Sequence, residues 1–257
     1  MVAALVPAVA DAQLIGEFQA RVKGFQPRSG SYTVVAGARI FDTTGLPAPA
    51  LSEASVSFPA GAHLRKRFLR RHYYCDPALL ERHPDPKLCP RARFATGRIV
   101  LDARPEVVES LSANIRLYLG KPAAPGDIAS VVALVVPNEQ SPAYAYQVLQ
   151  GRLVKAHAGP FGYRLVLPAR IKPLLPTVTL TLAEMHLNIR GLHETVKGRK
   201  IFWTTAPRCP RGRRVWFGAR YRFEGAVPTI VRRRSISCTR LLRNPSGTGR
   251  GEIPGTS

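Results

Sequence analysis

Apolar and polar positions alternate along most of this chain. Side chains of an extended strand point to opposite faces in turn, so this period of two predicts strands rather than helices. Segments 31–41, 54–58, 94–101, 114–119, 144–154, 163–167, 178–189, 200–205, 215–223 and 229–238 carry the pattern, and they are rich in Val, Ile, Leu, Tyr and Phe. Proline and glycine breakers separate them: Pro47 and Pro49, residues 122–126, Gly159-Pro160 and Gly225. Short strands at such spacing predict an all-β fold, an antiparallel β-sandwich. In 215–223 both faces are visible, with Val215, Phe217, Ala219, Tyr221 and Phe223 on one and Trp216, Gly218, Arg220 and Arg222 on the other.

Segment 178–189 changes parity midway. Val178, Leu180 and Leu182 share one face; Met185, Leu187 and Ile189 occupy the other parity. A slip of one residue swaps the faces of a strand, so a bulge near Ala183-Glu184 is predicted to keep both halves against the core. Glu184, His186 and Asn188 then lie together on the opposite face, as on an ordinary solvated strand.

Helix is scarce. Asp76 followed by Pro77 places an N-cap and a first-turn proline before 78–82, which predicts a short helical turn inside the first cysteine loop. A second short turn is expected at 106–111. Residues 244–257 carry Pro, Gly, Ser and Thr without periodic apolar positions and are expected to be a disordered tail. The domain is thus 13–243, either one sandwich or two sub-sheets joined near 121–127.

Four cysteines fall into two local couples, Cys75 with Cys89 and Cys209 with Cys238, and predict two disulfides, with the crossed pairings open. Loops of this size are worth roughly 3 to 4 kcal/mol each in the chain-entropy model. A chain of 257 residues buries roughly 70% of its unfolded surface, so the bridges reinforce a core rather than replace one. Neither couple has the C-x-x-C spacing of a zinc site, and no metal is expected. Ala10-Asp11-Ala12 follows a short apolar run, so 1–12 reads as the remnant of a signal peptide cleaved after Ala12; the alternative is an apolar N-terminal arm. The longest other apolar run, 128–136, is interrupted by Ser130 and falls far short of the roughly 18 residues of a membrane-spanning helix. No transmembrane segment is therefore expected.

Charge changes the picture most. Lys and Arg number 38 against 16 acidic residues, a net charge of +22. The cations cluster beside the cysteines: Arg65, Lys66, Arg67, Arg70 and Arg71; then Arg211, Arg213 and Arg214; then Arg232, Arg233 and Arg234. If the cysteine loops meet at one end of the fold, the clusters add into one surface that attracts an anionic polymer or lipid surface of the cell envelope. The alternative is a dispersed, solvating positive surface. No helix-turn-helix, paired zinc-ligand spacing or aromatic RNP-like strand is present, so sequence-specific nucleic acid binding is not expected.

Catalytic patterns are missing. The six histidines form no H-x-H or H-x-x-x-H pair, and there is no G-x-S-x-G elbow and no phosphate-binding glycine loop. Asp102, Glu106 and Glu109 are close in sequence and are expected to coat a loop. No cofactor is implied. The expected function is non-enzymatic binding by an exported protein, with a secreted hydrolase or carbohydrate-processing enzyme as the alternative.

Short motifs occur in a characteristic order: Phe58-Pro59-Ala60-Gly61, Cys75, Cys89-Pro90, Ala95-Thr96-Gly97, Phe161-Gly162-Tyr163, Val166-Leu167-Pro168, Pro207-Arg208-Cys209 and Ser237-Cys238. In these the chain resembles a family of secreted, β-rich, uncharacterised proteins of high-GC actinobacteria with two local cysteine pairs. The resemblance spans residues 56–238 and departs from the family where Arg98-Ile99 replaces its second glycine. It implies an exported sandwich protein and no particular activity.

Overall fold

The alternating segments do form strands, and eleven of them hydrogen-bond into one antiparallel sheet in the computed structural model. It describes residues 13–26, 31–104, 110–138, 146–157, 159–173, 179–205 and 214–238. In chain order the strands are β1 Leu14–Gln26, β2 Ser31–Asp42, β3 Leu51–Pro59, β4 His63–Leu64, β5 Arg93–Asp102, β6 Leu111–Gly120, β7 Asp127–Pro137 and β8 Gln147–Lys155. They continue as β9 Phe161–Pro168, β10 Thr181–Ile189, β11 His193–Val196, β12 Arg199–Phe202, β13 Thr204–Thr205, β14 Arg214–Phe223 and β15 Ile230–Ser237, with one helix, α1 Pro77–Arg82.

The order across the large sheet is β1-β2-β10-β5-β6-β7-β8-β9-β3-β14-β15. Every neighbouring pair is antiparallel and the strand count is odd, so β1 and β15 run in the same direction. These end strands come side by side: the Tyr221 hydroxyl donates to the Glu17 carbonyl at 3.0 Å, and Arg232 Nε donates to the Gly16 carbonyl at 2.7 Å. Gly16 permits the approach, because a Cβ there would lie 3.1 Å from both Ile230 and Tyr221. The sheet is barrel-like, closed at this seam by side chains.

An all-β antiparallel fold is therefore present; in place of two facing sheets, the described residues form one large barrel-like sheet with two small two-stranded sheets, β11-β12 and β13-β4, beside it. The physical reason is simple. Alternation marks a strand with one buried face but does not say whether that face meets a second sheet or the far wall of its own. Likewise 121–126 links β6 to its immediate neighbour β7 within one sheet.

Inward positions are apolar and buried, as in Tyr32, Val34, Ala36, Ala38 and Ile40 of β2. Outward positions carry exposed charge, including Arg39, Arg98 and Arg152. That is the reverse of the apolar outer band of a barrel seated in lipid. Among the described residues no helix is long and apolar enough to cross a membrane. The parity change in β10 is resolved by the predicted bulge: Leu182 faces Leu101 and Glu184 faces Val100, leaving Ala183 as the extra residue.

Two long strands lie outside the predicted set. β7 is apolar on both faces: Ala129, Val131, Ala133 and Val135 point inward, while Val132 and Leu134 are buried on the outside. Their cover is the first cysteine loop. Cys75, Leu80 and Ala92 pack with Tyr118, Val132 and Leu134 into a second, smaller core on the outer face of the sheet. The Cys75–Cys89 disulfide closes this loop, with a Cα separation of 5.5 Å. Helix α1 starts as expected, with the Asp76 carboxylate accepting from the Ala78 amide at 3.0 Å and Pro77 in the first turn. β1 was hidden because small residues, Gly16 and Ala20, take inward positions that a larger apolar side chain would have announced.

Candidate anion-binding face

The first basic cluster follows β4. Arg65, Lys66, Arg67, Arg70 and Arg71 flank or form two short 3-10 turns, Lys66–Phe68 and Arg71–Tyr73, anchored by the buried rings of Phe68 and Tyr73. Arg67 is already engaged: its Nη2 donates to Glu194 Oε1 at 3.1 Å, and the Tyr73 hydroxyl donates to Glu194 Oε2 at 2.8 Å. The Tyr73 hydroxyl and the Arg67 guanidinium hold the Glu194 carboxyl below its ordinary range. Arg65, Lys66, Arg70 and Arg71 are exposed.

The last cluster is not a loop. Arg232, Arg233 and Arg234 occupy the middle of β15, where neighbouring side chains alternate between faces. Arg232 and Arg234 stand opposite Ala219 and Phe217, on the parity of the core, whereas Arg233 stands opposite Gly218 on the outside. Arg232 is committed to the seam with Gly16. Of the middle cluster, Arg214 begins β14; Arg211 and Arg213 lie outside the described residues, as does Cys209. Cys238 is buried and disulfide-bonded.

What register brings together is a different set of arginines. Across β8, β9, β3, β14 and β15 one outward row reads Arg152, Val166, Ser55, Arg220 and Val231. The next row on the same face reads Val154, Arg164, Ser57, Gly218 and Arg233. Directly opposed Cβ atoms on paired strands are about 5 Å apart, and rows are about 7 Å apart. Four arginines thus surround a floor of small residues. Arg152, Arg164 and Arg220 come from three separate strands, and only the pairing of β8, β9, β3 and β14 places them together.

Acidic neighbours are few on this face. Arg152 approaches Asp127 at 4.0 Å, Glu53 stands opposite Arg222, and Glu224 pairs with Arg170 at 3.5 Å. Among the described residues no carboxylate pairs with Arg164, Arg220 or Arg233. Ser55 is 2% exposed, and its hydroxyl and the facing Arg220 Nε are both buried without a hydrogen-bond partner. Buried polar atoms of native proteins are nearly always partnered, so this pair offers free hydrogen-bonding capacity beneath the arginines.

Other sites hold less. Glu184, His186 and Asn188 do share the outer face of β10, where Glu184 contacts Arg39 at 3.4 Å and His186 at 3.8 Å. Asp102 is clamped by Arg104, whose side-chain hydrogen bonds hold its carboxyl below the usual range; Glu106 and Glu109 lie outside the described residues. Cavities of about 40 and about 30 Å³ are lined almost wholly by apolar side chains. Such linings offer few polar groups to orient a substrate. No group of three or more His, Cys, Asp or Glu that could hold a metal occurs among the described residues.

Comparison with known proteins yields no matching family model, no matching curated protein and no matching solved structure.

Proposed function

We propose that this is an exported, disulfide-stapled β-protein that binds an anionic polymer of the cell envelope or its surroundings, without catalysing a reaction. The observation that carries the reading is the gathering on one outward sheet face of Arg164, Arg220 and Arg233, which have no acidic partner among the described residues. A planar guanidinium offers paired donors to phosphate or carboxylate, and several together hold a repeating anion in register. The net charge of +22 draws such a polymer from a distance, and the exposed Arg65, Lys66, Arg70 and Arg71 extend the field. A cystine over the outer core agrees with an oxidising compartment, where such bonds persist.

Titration with a long inorganic polyphosphate at rising salt tests this. Affinity is expected to fall linearly on logarithmic axes. Replacing Arg164, Arg220 and Arg233 together by Gln is expected to flatten the slope by roughly two to three units, one for each lost contact. Unchanged binding by that triple variant, or affinity indifferent to salt, would sink the reading.

A further inference from the structure

The same face carries an uncharged aromatic feature that charge attraction alone does not require. Trp216 is 37% exposed on the outer face of β14. Two residues along the same face, about 7 Å away, Gly218 has no side chain, and the ring of Phe161 occupies that space: a Cβ on Gly218 would lie 2.9 Å from Phe161 Cζ. The exposed ring of Trp216 and the half-buried ring of Phe161 thus follow one another on the outer face.

Cations flank the rings. Arg214 Nε donates to Ser235 Oγ at 2.9 Å, and Ser235 is the residue opposite Trp216, so a guanidinium is held beside the indole. Arg233 lies one strand from Gly218 on one side, and Arg164 lies two strands away on the other. Arg233 and Arg164 thus lie one and two strand spacings from the ring over Gly218, apart from the guanidinium held beside the indole.

That separation selects among polyanions. In an acidic polysaccharide the charged group sits on or next to the sugar ring, so stacking the ring brings the charge onto the aromatic platform. A nucleotide holds a flat, uncharged base apart from its phosphate by a sugar. In a duplex the bases are stacked on one another and hidden from such platforms; in a single strand they are free.

We infer that the polymer bound on this face is a single-stranded polynucleotide, with successive bases stacked on Trp216 and Phe161 and phosphates held by Arg164, Arg214 and Arg233. The inference rests on the anion-binding reading above and adds the ligand's class. Such stacking tolerates any base, which agrees with the lack of a base-reading motif.

The chain's two tryptophans make the test direct. Trp203 is 4% exposed, so a ligand on the sheet face changes the emission of Trp216. The full chain is titrated with an oligothymidylate, with an abasic oligomer of equal length, and with an acidic polysaccharide of equal charge. The oligothymidylate is expected to quench Trp216 and to bind roughly tenfold tighter than the abasic oligomer, the scale of one stacked base. Trp216→Ala is expected to cut that advantage to the share Phe161 supplies while leaving the abasic affinity unchanged, and Trp216→Phe to restore part of it. Equal affinity for the two oligomers, or tighter binding of the polysaccharide, overturns the inference and leaves the anion-binding reading standing. Binding of none of the three overturns both.

Discussion

A methyl group at Gly97 would lie 2.1 Å from the carbonyl oxygen of His186 on the adjoining strand. No side-chain rotation relieves a clash between Cβ and backbone, so one strand must shift. Gly97→Ala is therefore expected to cost about 3 kcal/mol in urea unfolding, at the upper end for overpacked sites. Buried tyrosines set a second limit. Burial pushes the Tyr32 hydroxyl up to about 12, and it raises Tyr221 as well. Unfolded tyrosines ionise near pH 10. Below that pH both states keep their protons; above it the unfolded chain loses protons that the folded chain retains, so stability falls as pH rises from about 10 towards 12. Unfolding midpoints at pH 9 and pH 11 should show the loss, and Tyr221→Phe should lessen it. Neither effect is visible in a run of letters. Gly97 was legible only as part of a motif, and its reason is a carbonyl contributed by a strand some ninety positions away.

At the scale of elements, the first cysteine loop does two things at once. It carries α1, whose cap and first-turn proline were legible in the sequence, and it covers the outer face of β6, β7 and β8 with Leu80 and Ala92. Without the loop, Tyr118, Val132 and Leu134 would face water. Replacing Cys75 and Cys89 by Ser is expected to cost about 3 kcal/mol, the value for a loop of this length. The same variant should gain binding of a dye that reports exposed apolar surface, which a bridge that merely tethered a solvated loop would not produce. This cover also explains why β7 escapes a reading by alternation. A strand buried on both faces reads as one apolar run, and the run alone does not reveal what lies on its second side. The bulge in β10 was legible for the opposite reason, since its two halves keep a clean period on either side of Ala183.

For the whole molecule, an odd number of antiparallel strands leaves the first and last running the same way. The seam then rests on Arg232 and Tyr221 reaching the backbone of β1. Arg232→Ala is expected to lower stability by about 2 kcal/mol, the net worth of one hydrogen bond from a charged donor. Polyphosphate binding should be affected far less than by Arg233→Gln, although the two residues are adjacent. Denaturation and binding measured on both variants separate the roles.

Local chemistry determined much of this protein by itself: strand identity from the period of two, the capped turn after Asp76, the bulge at Ala183 and the excess of positive charge. Those features depend on neighbours within a few residues, which a sequence lists side by side. Tertiary structure alone decided that one sheet curls upon itself, that Arg233 rather than Arg232 takes the outer face, and that Arg152, Arg164 and Arg220 share a surface. Each of these follows from strand register between distant segments, and register is set by packing across the whole sheet rather than by any local pattern.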